Sequence, residues 1–257
     1  MRILLTGGGT GGHVMPVLAV AKAINDILPA EPQYLWVGSR QGLEGKLAVA
    51  NKIPFKSVAT GKLRRYCSFF NIIDVCKIPL GIIQSIFVIG KFRPDVIFSK
   101  GGYVSIPVVV AGWLWRAPII THESDIIPGL ANKIIARLAQ KIAVSFPQTG
   151  QYFSGRRVIV TGNPLRAEIL AGDQARARDK FNLLSDKPVI LVVGGSQGAR
   201  KFNEILLEAL PQLFENYQVL HVCGQDNYQS VQMQVKESGL ERKGYCLQSF
   251  LSAPAMG

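Results

Sequence analysis

Five glycines, at positions 7, 8, 9, 11 and 12, stand between the apolar run RILLT and the helical pattern PVLAVAKAINDIL. Glycine loses more chain entropy on folding than any other residue, so this density marks a backbone that turns tightly or lets something approach closely. A strand that runs through such a turn into a helix opens a parallel α/β unit, and the helix aims its unsatisfied N–H groups at the turn. Anions, and phosphate above all, suit that place. Pro16 falls where the helix is expected to begin, a position proline favours.

The alternation continues. QYLWVG, DVIFSK, PIITHE, KIAVSF and VIVTG read as strands separated by helical stretches, and after GNPLR at 162–166 the pattern restarts with PVILVVGGSQGAR. Helix-like FNEILLEALPQLF, strand-like YQVLHVCG, a polar helix near Tyr228 to Ser238 and GYCLQSFL follow. Strand and helix in strict alternation predict parallel sheets covered by helices. A chain of 257 residues, 48% hydrophobic, can fill two modest cores. Two α/β domains are expected, 1–161 and 162–257. The second has three clear strands before SAPAMG and is expected to be incomplete, since so short a parallel sheet leaves an uncovered edge.

Charge divides as sharply as pattern. Of the formal +12, residues 1–161 hold 19 Lys and Arg against 7 Asp and Glu, while residues 162–257 hold 10 against 10. The first half is expected to meet something anionic: nucleic acid, an acidic membrane surface or a phosphorylated substrate. No nucleic-acid-binding module accompanies the charge, so no nucleic acid is expected. Residues 61–93 mix Phe69, Phe70, Ile72, Ile73, Ile82, Ile83, Ile86 and Phe87 with Lys62, Arg64, Arg65, Lys77, Lys91 and Arg93. An apolar surface rimmed with cations predicts a peripheral helix on an anionic leaflet, and the competing reading is a core helix with solvated flanks. The stretch from Ile72 to Ile89 carries Asp74, Lys77 and Pro79 and does not read as a membrane span. The N-terminus lacks the order of a signal peptide, which predicts a cytoplasmic protein. Cys67, Cys76, Cys223 and Cys246 form no CxxC pair and read as reduced, structural thiols.

Gly7-x-Gly9-x-x-Gly12 satisfies the dinucleotide fingerprint, but an acidic residue should then end the second strand, where the chain has Val37-Gly38-Ser39-Arg40. Arg40 facing a 2′-phosphate keeps an NADP reading open. The device recurs, however, in SKGGYVS (99–105) and in GGSQGAR (194–200), each joining a strand end to a helix start. Three such loops over two domains are expected to be phosphate-binding loops presented across one cleft, and the competing reading is three tight βα turns.

GGGTGGHVMP, KGGYVSIPVVVA, THESDIIPGLANK, VTGNPLR and VVGGSQGARKFN stand in an order and spacing that resembles the MurG family, the bacterial peptidoglycan N-acetylglucosaminyltransferases. The resemblance implies the GT-B fold, two Rossmann-like domains whose parallel sheets face a cleft. It implies transfer of GlcNAc from UDP-GlcNAc to the C4 hydroxyl of the MurNAc unit of lipid I, giving lipid II with inversion, without metal or other cofactor, at the cytoplasmic face of the membrane. Inverting transfer needs a base, stabilisation of the departing diphosphate and exclusion of water. By this resemblance Thr10, Gly11 and Gly12 contact the donor sugar, and His13 is a candidate base against a positioning or capping role. Glu123 and Asp125 are the rival bases, and Asp125 stands where many relatives carry a sugar-binding Asn. His122, Tyr103 and Asn132 match positions facing the acceptor. Arg166 and Ser196 match positions near the UDP diphosphate, where a forked cation and a helix-start loop suit growing negative charge. Leu251 matches a backbone contact to uracil, although SAPAM departs from the family pattern. His221, within a strand, is expected in the core. Family segments that complete the uridine pocket are expected beyond residue 257. Two other readings stay open: another UDP-sugar GT-B enzyme, such as a UDP-GlcNAc 2-epimerase or a lipid glycosyltransferase, and a non-catalytic lipid-I-binding domain. THESD and GGSQGAR weigh against the former.

Overall fold

The computed structural model describes residues 1–61, 69–153, 157–184, 187–195, 198–241 and 244–256. It divides into two compact units, Met1–Arg166 and Ala167–Gly257. In the first, β1 (Arg2–Thr6), α1 (Gly11–Ile27), β2 (Gln33–Ser39), α2 (Leu43–Ala50), β3 (Phe55–Val58), α3 (Phe69–Phe92), β4 (Val96–Ser99), α4 (Ser105–Leu114), β5 (Ile119–Glu123), α5 (Leu130–Leu138), β6 (Lys141–Val144) and β7 (Val158–Val160) follow one another. The strands form one sheet in the order β3-β2-β1-β4-β5-β6-β7, every pair parallel. Alternation along each strand feeds two cores, one per face: Leu4, Val37, Ile97, Ile119 and Ile142 on one, Ile3, Leu5, Trp36 and Phe98 on the other.

Helix α1 starts earlier than Pro16 predicts. The Thr10 carbonyl accepts the N–H groups of both His13 (3.1 Å) and Val14 (3.2 Å), so the helix nucleates on the glycine loop and Pro16 lies inside it. Helix α3 buries Gly81, Ser85 and Ile89, one turn apart. A side chain at Gly81 would strike the Ala59 carbonyl, which explains the smallest residue at the closest approach.

The second unit holds α6 (Ala167–Leu170), α7 (Gln174–Phe181), β8 (Val189–Val193), α8 (Arg200–Asn216), β9 (Gln218–Val222), α9 (Tyr228–Glu237), β10 (Tyr245–Gln248) and α10 (Ala253–Met256). Its three strands pair in parallel in the order β10-β9-β8. Strand β9 is buried throughout, whereas β8 exposes Leu191 and Val193. The division between units falls after Arg166 and not after residue 161, because segment 161–166 is tied back to the first sheet. Thr161 N–H donates to the Val144 carbonyl (3.0 Å), and His122 Nε2 bonds the Gly162 carbonyl (3.0 Å).

Candidate functional site

Strands β1 and β4 are neighbours, with Thr6 opposite Ser99, yet the chain leaves them toward opposite halves of the sheet. A crevice opens at the carboxyl ends of strands where the order reverses in this way. Both glycine loops of the first unit leave the sheet there. Buried hydroxyls lace its floor: Ser105 Oγ donates to the Gly101 carbonyl (2.8 Å), Gly101 N–H to Ser99 Oγ (3.1 Å) and Thr121 Oγ1 to the Ser99 carbonyl (3.2 Å). From β2 the Trp36 indole N–H donates to the Gly7 carbonyl (3.3 Å). The two loops interlock. Gly9 has φ +89°, and a side chain there would come within 2.9 Å of the Tyr103 ring.

His13 sits at this junction, half-buried, with Nδ1 2.9 Å from Thr10 Oγ1. Its Nε2 edge faces the second loop, 3.6 Å from where a Cβ of Gly102 would stand. Burial lowers its pKa and the Lys100 ammonium lowers it further, against the opposing pull of Glu123 and Asp125. The imidazole is therefore neutral at pH 7.

Glu123 is committed elsewhere. Oε1 accepts Asp125 N–H (2.9 Å), and Oε2 accepts Gly129 N–H (3.2 Å) and Asn132 Nδ2 (2.8 Å). The buried carboxylate thus builds the 124–129 loop. Asp125 has an exposed side chain, and its carbonyl accepts the Thr149 hydroxyl (3.0 Å). His122 and Asn132, expected to face the acceptor, are buried and hold Gly162 and Glu123. Thr10 and Gly12 are exposed and Gly11 half-buried.

Two residues of this crevice escaped the sequence reading. Lys100, at the end of β4, is buried, and its Nζ donates to Ser124 Oγ (2.5 Å). Burial pulls its pKa down while Glu123 and Asp125 pull it up. A lysine directly ahead of a glycine pair in an anion-type loop was the available signal. The second residue is Glu44, to which no pattern pointed.

Arg166 ends the first unit half-buried. In the second unit Gly194 and Gly195 follow β8, and α8 begins at Arg200, while Ser196 lies outside the described residues. The Leu251 side chain packs against Phe181, Leu220 and Val222, leaving its backbone as what it can offer a ligand. His221 is a core residue as expected: Nε2 donates to Asn203 Oδ1 (3.1 Å), Nδ1 accepts from the Tyr245 hydroxyl (2.9 Å), and burial depresses its pKa to about 4. Cys223 and Cys246 are free thiols. Among the described residues no group of three His, Cys, Asp or Glu could hold a metal ion, and no helix is long and apolar enough to cross a membrane.

On α3, opposite the buried stripe, Leu80, Ile83 and Phe87 are exposed, Phe87 to 73%. Trp113, Leu114 and Trp115 extend this surface from the end of α4, where the Trp115 indole N–H donates to the Ile86 carbonyl (3.1 Å) and its ring lies against Gly90. Lys91, Arg93 and Arg116 are exposed nearby in the chain. Lys62, Arg64 and Arg65 lie outside the described residues, as do the side chains of Phe69, Phe70, Ile72 and Ile73.

Residues 3–144 match the glycosyltransferase family 28 N-terminal domain and residues 189–253 the glycosyltransferase family 28 C-terminal domain. The chain is 45% identical over 226 residues to UDP-N-acetylglucosamine–N-acetylmuramyl-(pentapeptide) pyrophosphoryl-undecaprenol N-acetylglucosamine transferase 2 of Bacillus anthracis, covering 88% of this chain and 63% of that one. With the transferase of the same name, without the numeral, in Clostridium kluyveri it shares 39% identity over 251 residues, 98% of this chain and 68% of that one. The chain thus spans about two thirds of the length of such relatives. Among solved structures it is similar to Acinetobacter baumannii MurG (TM-score 0.67, 27% identity, 98% of this chain and 67% of that one). A UDP-GlcNAc 2-epimerase from Neisseria meningitidis has the same fold (TM-score 0.67) at 13% identity, covering 100% of this chain and 74% of the epimerase.

Proposed function

We propose, because the chain belongs to glycosyltransferase family 28 and within it to the MurG family, that it moves GlcNAc from UDP-GlcNAc to the C4 hydroxyl of MurNAc in lipid I. The observation that carries this reading is the His13–Thr10 pair at the switch point of the first sheet, its imidazole neutral and its Nε2 edge turned to the second glycine loop. With the proton on Nδ1 and donated to Thr10, Nε2 keeps a lone pair able to take the acceptor proton. Of the rival bases, Glu123 has both oxygens engaged, and Asp125 serves as a sugar-binding group. Lys100 supplies the positive charge beneath the acceptor diphosphate. Thr10, Gly11 and Gly12 line the donor-sugar side, and Arg166, Ser196 and the Leu251 backbone serve the UDP moiety. The epimerase reading rests on fold alone, and family membership favours transfer.

The protein works on the cytoplasmic face of the membrane, held there through Leu80, Ile83, Phe87, Trp113 and Trp115 and the basic groups beside them. Lipid I is presented at that surface, which supports an acceptor domain that carries the net positive charge.

Separate titrations of UDP and a soluble lipid I analogue, with assay of transfer, test the proposal. Both ligands binding, with GlcNAc appearing on the acceptor, is the expected result. Acceptor binding without UDP binding would favour a non-catalytic lipid-I-binding domain, and binding of neither would overturn the reading.

A further inference from the structure

Glu44 lies in the first turn of α2, its side chain wholly buried. Oε1 accepts the Ser39 N–H (2.9 Å) and the Ser39 hydroxyl (2.5 Å), and Oε2 accepts the Gly9 N–H (3.3 Å). Missing side chains make its room. A Cβ at Gly8 would lie 2.5 Å from the carboxyl group, one at Gly38 would lie 2.6 Å from Glu44 Cγ, and one at Gly42 would strike the carboxyl group. Three glycines therefore accommodate one carboxylate. A buried charge persists only where hydrogen bonds replace its hydration, and the start of α2 adds a favourable dipole.

The Gly9 N–H thus points inward, to the protein's own carboxylate. One residue on, Thr10 holds the His13 ring through its hydroxyl and starts α1 through its carbonyl. We propose that Glu44 is a positioning residue for the transfer reaction, clamping the Gly8–Gly9 turn from below so that Thr10 and His13 keep one place beside Gly102. The proposal rests on the reading of His13 as the base. Glu44 is too deeply buried to touch a substrate and acts through the loop.

Glu44→Gln tests it, because the amide keeps the shape but puts a donor where one carboxylate oxygen accepted. In ¹⁵N NMR of the 257-residue chain, the variant should exchange the Gly9 amide at least tenfold faster. The His13 ring nitrogens should move from a fixed-tautomer pattern toward the averaged pattern of a free imidazole. Transfer turnover should fall at least tenfold, with KM for UDP-GlcNAc within twofold, and Glu44→Asp should recover part of the loss. An unchanged His13 ring spectrum in a folded variant whose Gly9 amide has opened would overturn the proposal. So would faster exchange spread evenly over β1 and α1 with His13 unmoved. If Glu44→Gln does not fold, Glu44→Asp is measured by the same ring signals, with the same sign expected and the same null result overturning. Absence of transfer by the unmodified chain would count against the functional reading alone, since the ring spectra decide the role of Glu44 without substrate.

Discussion

At His13, burial and Lys100 push the pKa down while Glu123 and Asp125 push it up, and the downward pair wins. A base works only unprotonated, so kcat/KM should be level near neutrality and fall as pH drops below a value under the ordinary imidazole pKa of about 6.5. His13→Ala should lower turnover roughly 10²-fold with little change in UDP affinity. Lys100→Met removes one of the lowering causes and should move the acid limb upward. A limb that stays in place would detach Lys100 from the base. His221 gives a different pH signature. Unfolded it binds a proton near pH 6.5, and folded only near pH 4, so its contribution is whole above pH 6.5 and drains away as pH falls toward 4. At most about 3 kcal/mol is at stake. Urea unfolding between pH 4 and 7 should show His221→Gln less stable than the parent at pH 7 but losing less on acidification.

The elements around the first glycine loop were legible because RILLT, the glycines and the amphipathic run behind them obey three separate local rules. The use of each glycine was not. Gly8 reads as a phosphate-loop residue and Gly38 as the end of the second strand, yet the structure sets them around Glu44, whose approach depends on α2 folding back over β2 and β3. In the same way THESD signalled a site, but nothing local reveals that Glu123 spends both oxygens on the loop it begins. Helix α3 is a core helix along its Gly81–Ser85–Ile89 stripe, and on the opposite side it leaves Leu80, Ile83 and Phe87 open. Sequence reasoning passed over Trp113 and Trp115, since α4 reads as a buried helix until its last turn emerges. The chain should bind anionic vesicles with an affinity that falls as salt rises. Replacing Lys91, Arg93 and Arg116 with Gln should cost about a hundredfold, at roughly 1 kcal/mol per cation near the surface. Phe87→Ser with Trp113→Ser should remove the salt-resistant part. Vesicle sedimentation reads both, and equal binding to neutral and anionic vesicles would refute the electrostatic half.

As a whole the molecule pairs a seven-stranded sheet, helices on both faces, with a three-stranded one whose β8 shows Leu191 and Val193 to solvent. The smaller unit should unfold first. Hydrogen exchange followed by mass spectrometry through a urea series should give two transitions, β8 to β10 opening before β1 to β6, and one shared midpoint would contradict this. The strand order also imposes a timetable. β1 pairs with β2, whose residues follow within a few dozen positions, but its other edge is completed only by β4, with Thr6 set opposite Ser99. At about 5–20 residues per second on the ribosome, that edge waits several seconds with its N–H and C=O groups unpaired. During the wait the nascent chain offers a bare strand edge to any neighbour. The second glycine loop is attached to the strand that covers this edge, so the two loops of the candidate site come together in the same moment that the edge of β1 is closed.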